Sequence, residues 1–321
     1  MEKIDVAVNI FAKPFRTSLA LLSLLRQSGQ HIGKLWLQFE PAGIAYDPFP
    51  AYCIQEYISE KGLCETVITQ PELWLAREAV TLDDFDDPAK KSAIRYQNAF
   101  ENSSARLLFI MHNDIYVLKD ILGAMAGQIG DAFAIGQLGQ CWNCPAANAE
   151  LADHAMGCKP CTPDAYSAFK PDYGQLCELY SESRKRGIFA RPYDQDGFTE
   201  EFRKQPWPLP ECRINEWACL LNLALTKPLC APQGESFPPG AYRKCGEFNL
   251  DIGVAWFRDM HAHGLEAKNF DISPYIKHWQ GTGNNTPMRY AKGEDNALRI
   301  LRKHFPDYVS WLEQKYGTLP A

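Results

Sequence analysis

The residues with the most specific spacing are four cysteines, Cys141-x-x-Cys144 and Cys158-x-x-Cys161. Two such knuckles let four thiolates converge tetrahedrally on one Zn²⁺, at a separation close to that of zinc ribbons. Two incidental pairs of buried cysteines, or a disulfide, are the plainer accounts of the same spacing. His154 lies between the knuckles and either replaces one thiolate or sits at the surface. A closed four-cysteine site is structural, so the expected Zn²⁺ folds an insert and takes no part in catalysis.

A second chemical signal is His112-Asn113-Asp114, directly after an apolar run. A carboxylate there can hold Mg²⁺ or Mn²⁺ against a diphosphate and so neutralise charge on a leaving group. The competing account is that Asp114 caps the next turn. Other polar groupings are weaker. His261-x-His263 would diverge on a helix and reads as a helix end near the negative pole of the dipole. The run 83–88, DDFDDP, reads as an acidic turn capping the next helix. The run 281–285, GTGNN, follows no strand-to-helix phosphate-loop pattern and reads as a loop.

These residues need elements to position them. Ile4 to Ile10 is β-branched and short, as a buried strand is. After a turn at 11–14, leucines at helical spacing mark a helix over 17–27, stopped by Ser28-Gly29. Strands are expected at 34–39, 66–69, 107–111 and 133–135, with helices over 52–60 and 88–102 between them. The run 107–111 is continuous and apolar, as a central parallel strand should be. Further helices are expected over 211–225, 254–263, 294–304 and 308–315. Alternating strands and helices imply an α/β fold with a mainly parallel sheet. Ligands of open sheets bind beyond the carboxyl ends of strands, where Asn9, Glu40 and Asp114 fall.

Composition removes several classes. Hydrophobic residues make up 46% of the 321, enough for a sizeable core. A formal charge of −6 gives no basic face for nucleic acid, and the cluster Arg184-Lys185-Arg186 reads as solvated surface. No apolar run reaches the ~18 residues of a membrane span. The N-terminus reads as a first strand, not a signal peptide, so a cytoplasmic location is expected. The 11 cysteines, an odd number in a long chain, do not suit a secreted disulfide framework.

The segment VNIFAKPFRTSLALLSLLRQSG resembles the opening of inverting, family 2-like GT-A glycosyltransferases. The stretch from Arg95 through Asn98 to LLFIMHND is similar to their helix, strand and DxD-type metal motif, with HND in place of DxD. Farther on, GEFNLDIGVAWFRDMHAHG resembles their acceptor-side segment. The resemblance spans 4–136 and 211–285. It implies a GT-A-like, Rossmann-related sheet flanked by helices: a nucleotide-sugar half at 1–136, an irregular Cys-rich insert at 137–210, and an acceptor half with a helical tail at 211–321.

What the resemblance implies for function is sugar transfer from a nucleotide-sugar donor to a glycan or lipid-linked acceptor, in surface polysaccharide assembly. Asp251, or second to it Glu247, would remove the acceptor proton. Asp114 would hold Mn²⁺ or Mg²⁺, and His278 fits the histidine that the family often carries near the diphosphate. Asn9, Lys13, Glu40, Arg95, Asn98, His112 and Asn113 would border the nucleotide-sugar. Peripheral membrane contact is left open, although no basic amphipathic helix stands out. The HND departure supports a rival, a non-catalytic zinc-containing scaffold on the same fold. A nucleotidyltransferase is a third option, weakened by the lack of a lysine- or glycine-rich phosphate loop.

Overall fold

The computed structural model describes residues 2–41, 50–75, 78–139, 213–245, 248–278 and 287–319, with the single positions 174, 178 and 185. Cys141, Cys144, Cys158, Cys161, His154, Glu247 and the 281–285 run lie outside the described residues. In chain order, the first half holds β1 (Ile4–Ile10), α1 (Pro14–Ser28), β2 (Ile32–Phe39), α2 (Cys53–Glu60), β3 (Glu65–Thr69), α3 (Pro88–Ala93) and α4 (Gln97–Asn102). There follow β4 (Leu107–His112), β5 (Ile115–Val117), α5 (Ile121–Ala126) and β6 (Ala134–Leu138). The second half holds β7 (Ile214–Asn222), α6 (Leu223–Thr226), β8 (Arg243–Cys245), β9 (Phe248–Leu250) and α7 (Val254–Ala262). It closes with β10 (Ala267–Asn269), β11 (Ile276–His278), α8 (Pro287–His304) and α9 (Pro306–Tyr316).

The chain divides into two compact units. The first comprises Met1–Trp74, Arg95–Gln128 and Ile272–Ala321. Its sheet runs β4-β1-β2-β3 and every pairing is parallel. All seven residues of β1 are buried, as a strand covered on both faces requires. A separate antiparallel pair joins β5 to β11, with His278 opposite Ile115. Leu19, Leu21, Leu22 and Leu24 of α1 are buried, which accounts for the helical spacing of these leucines.

The second unit comprises Leu75–Ile94 and Ile129–Asp271. In it β6 pairs parallel with β10 and antiparallel with β7. Gly136 suits the close approach at this seam, because a Cβ there would lie 3.0 Å from Cys219 Cβ and 3.1 Å from Ala218 O. Val80, Phe85, Ile94, Phe237 and Ala255 belong to one buried cluster.

Two expected helices are corrected. Residues 211–225 are not a helix: 214–222 form β7, and only 223–226 turn helical. All nine residues of β7 are buried, so apolar side chains occur on both faces and mimic a helical spacing. The helix expected over 88–102 is broken into α3 and α4 by Tyr96, whose φ is 62° and whose N–H donates to Gln38 Oε1 at 3.1 Å. The acidic turn caps as expected: Asp87 accepts from the N–H groups of Ala89 and Lys90 at the start of α3.

Candidate metal and nucleotide site

The site of the first unit begins with a turn. Between β1 and α1, Ala12 and Lys13 both adopt left-handed conformations, with φ 54° and 61°. Each such residue costs of order 1–3 kcal/mol unless its surroundings hold it. Here they do. Asn113 Nδ2 donates to Ala12 O at 3.2 Å and to Thr17 Oγ1 at 2.9 Å. Lys13 N–H donates to Tyr290 Oη at 2.7 Å. Lys13, the N-cap of α1, makes no side-chain cap, and Glu294 of α8 supplies one instead, its Oε2 accepting from Phe15 N–H at 2.7 Å. Glu294 Oε1 also receives Arg16 Nε at 2.6 Å, in a pair with almost no exposure.

The turn aims Lys13 at Asp114, with Nζ 2.7 Å from Oδ2. Asp114 sits in the two-residue turn between β4 and β5. Among the described residues its other oxygen, Oδ1, is buried without a hydrogen bond. Oδ1 lies 3.3 Å from His278 Nε2 and 3.9 Å from His112 Nδ1. Each of the three residues offers a ligand atom within 4.8 Å of the others, and the two imidazoles meet edge to face. Among the described residues Asp114 accepts no bond from a helix N-terminus, and it lies between two strands, so the capping account of its place in the sequence does not apply. Burial works to raise the Asp114 carboxyl, but Lys13 and the two histidines hold it well below the usual carboxylate range. Burial pushes the His112 imidazole down from its ordinary value. Asp114 is therefore an anion and His112 a neutral nitrogen donor near neutral pH, the states in which they can bind a metal. One carboxylate oxygen with two imidazole nitrogens suits Mn²⁺ better than Mg²⁺, which prefers oxygen ligands.

Beside this cluster, at the carboxyl ends of β1 and β2, Glu40 collects three donors. They are Asn9 Nδ2 at 2.7 Å, Arg95 Nε at 3.0 Å and Trp74 Nε1 at 3.0 Å. Asn9 Oδ1 is buried and has no hydrogen-bond partner among the described residues. Asn9 and His112 are register partners on β1 and β4, which links the two groups across the sheet. Phe11 and Trp74 stack in parallel at 5.4 Å, and Trp74 is 47% exposed. Asn98 is elsewhere engaged, donating to Thr69 Oγ1 at 2.6 Å.

In the second unit, Asp251 lies three residues before α7. It is not the helix cap, which is Gly253 at φ 77°. Asp251 Oδ2 is 2.9 Å from an Arg213 terminal nitrogen, and Oδ1 accepts from Ile252 N–H. Arg213 is buried and is also tied to Ile252 O by its Nε at 3.0 Å. His261 packs on Phe257 at 4.7 Å, whereas His263 reaches Ser236 at 3.1 Å, so the two diverge as residues two apart on a helix must.

Three positions escaped the sequence: Trp74, Tyr290 and Glu294. Trp74 had one usable signal, a large aromatic in a loop just beyond a strand end. Tyr290 and Glu294 had none, since each meets its partner across more than 270 residues.

An α/β sheet with a nitrogen- and oxygen-bearing cluster at its strand ends is the class that fold and site define. No family model matches the chain, and no curated protein matches it by sequence. Solved structures do resemble it. A mannosyltransferase from Pyrobaculum calidifontis, in complex with GDP-Man and Mn²⁺, is 10% identical with a TM-score of 0.43; the match covers 84% of this chain and 55% of that one. Core-mannan synthase A from Aspergillus fumigatus is 8% identical with a TM-score of 0.41, covering 87% and 75%. Glucosyl-3-phosphoglycerate synthase from M. tuberculosis is 9% identical with a TM-score of 0.36, covering 84% and 70%. These are distant likenesses to glycosyltransferases. Among the described residues no helix is long and apolar enough to cross a membrane.

Proposed function

We propose that the chain is a GT-A-like glycosyltransferase that takes a sugar from a nucleoside diphosphate donor with a divalent metal at His112, Asp114 and His278. The observation that carries this is the buried Oδ1 of Asp114, without a hydrogen bond among the described residues, facing two imidazoles at the carboxyl end of β4. When bound, the ion would neutralise charge on the departing diphosphate. Asn9 Oδ1 offers an acceptor for a base N–H or a ribose hydroxyl. The exposed face of Trp74 offers a stacking surface for the base, and Glu40 fixes the indole and Arg95 that flank it.

Asp251 is the proposed general base of an inverting transfer. The acceptor hydroxyl attacks the anomeric carbon, its proton passes to Asp251, and the bond to the diphosphate oxygen breaks. Arg213 orients this carboxylate. The proposed acceptor is a glycan or lipid-linked hydroxyl, used in the cytoplasm for surface polysaccharide. The Zn²⁺ at Cys141, Cys144, Cys158 and Cys161 is proposed from spacing alone.

The test is calorimetric binding of UDP, GDP, CDP and dTDP, with and without Mn²⁺, to the native chain and to Asp114→Ala. Metal-dependent binding of one nucleotide, lost in Asp114→Ala, supports the transferase and names its donor class. Failure of every nucleotide under both conditions rejects it in favour of a non-catalytic protein.

A further inference from the structure

Asp114 turns one oxygen to a lysine and the other to two histidines. Its Oδ2 is held by the Lys13 ammonium at 2.7 Å, while its Oδ1 faces the two imidazoles. One negative and one positive charge cancel at that distance, so a divalent ion approaching the histidines meets a carboxylate already neutralised. The residue one position from Asp114 on the β4 side is Asn113, which ties down Ala12 O and adds no charge.

The backbone that carries Lys13 is fixed. Asn113 and Tyr290 hold the two left-handed residues, and Thr17 N–H returns to Lys13 O at 2.8 Å. The four-carbon stem of Lys13 is flexible by comparison. A strained turn maintained from three sides, and ending in a lysine aimed at a metal-ligand candidate, is the pattern of strain kept for a purpose.

On the premise of the metal site proposed above, we propose that Lys13 is a built-in competitor for the divalent ion. It holds Asp114 while the donor site is empty. When a nucleoside diphosphate arrives, its phosphates offer the ammonium a second anionic partner, and Asp114 is released to the metal. Metal and donor then bind cooperatively, and by linkage each tightens the other by the same factor.

The test is titration of Mn²⁺, followed by electron paramagnetic resonance of the free ion, without nucleotide and with the diphosphate that binds from the panel above. The native chain should bind Mn²⁺ weakly alone and at least about tenfold more tightly with the nucleotide. Lys13→Gln and Lys13→Met should bind Mn²⁺ alone at least about tenfold more tightly than the native chain, because the cancelling charge is gone. Their tightening by nucleotide should shrink towards onefold. Lys13→Arg keeps the charge and should behave as the native chain does. Equal Mn²⁺ affinity in the native and neutral variants overturns the competition and leaves the metal site standing. A native chain whose Mn²⁺ affinity ignores the nucleotide overturns it without reference to any variant. Absence of Mn²⁺ binding in every form rejects both the competition and the metal site.

Discussion

The Lys13 N–H donates to Tyr290 Oη at 2.7 Å, so a helix near the end of the chain closes the turn near its beginning. Glu294, one helical turn farther on, completes the closure by accepting from Phe15 N–H and Arg16 Nε. A carboxylate at the N-terminus of α1 also meets the positive pole of that helix.

Removing these contacts should loosen the first unit. Tyr290→Phe leaves the Lys13 N–H without its acceptor and should cost about 1–3 kcal/mol. Glu294→Ala removes the carboxylate from the buried Arg16 guanidinium and should cost about 3–5 kcal/mol. Urea denaturation of each variant measures both, and a Glu294→Ala loss no larger than that of Tyr290→Phe contradicts the buried-pair account.

If Asp251 is the base, Asp251→Asn should slow transfer by about 10²–10⁴-fold. Mn²⁺ and nucleotide binding should persist, since the ligands proposed for them all belong to the first unit. Steady-state kinetics with calorimetry on the same preparation decides it, and concurrent loss of nucleotide binding would argue that Asp251 shapes the fold rather than the reaction.

Trp74 should report the donor directly. Nucleotide bound against its exposed face should quench its fluorescence, and Trp74→Ala should weaken that binding by about 0.5–1.5 kcal/mol, as loss of an aromatic stack does. Unchanged affinity in Trp74→Ala would place the base elsewhere.

The docking of α9 on α2 should be acid-sensitive. The hydrogen bond from Tyr316 and the nearby Lys315 hold Glu56 below its ordinary value, and Lys315 and Trp311 do the same for Glu60. A folded-state value below the unfolded one stabilises above the ordinary glutamate value, about 4.3, and that contribution is lost as pH falls through the lowered value. Trp311, which donates to Glu60 Oε2 at 2.7 Å, is the probe. Its fluorescence should be constant from neutral pH to about 5 and change below about 4, and Glu56→Gln with Glu60→Gln should flatten that change.

The sheet of the first unit was legible because β4 opens on a continuous apolar run and β1 is short and rich in Val and Ile. Asn9, Glu40 and Asp114 were legible as strand-end residues for the same reason. The strand β7 was not, because Trp217, Leu220 and Leu221 fit a helical stripe, and only pairing with β6 decides between the two. Polar Asn215 obscured it further; its Nδ2 donates to the carbonyls of Gln137 and Gly139, which no local pattern announces. Lys13 and Asp114 could be named singly, but not as a pair, since nothing local encodes a contact across 101 residues.

The closure of α1 by Tyr290 and Glu294 has a consequence in time. A chain made from its N-terminus can pair β1, β2 and β4 as soon as those strands exist. The left-handed turn at Ala12 and Lys13 still lacks its acceptor, and α1 its cap, until residues 287–304 have been synthesised. The nascent protein therefore holds a sheet before its left-handed turn is closed, and α8, made some 270 residues later, is what closes it.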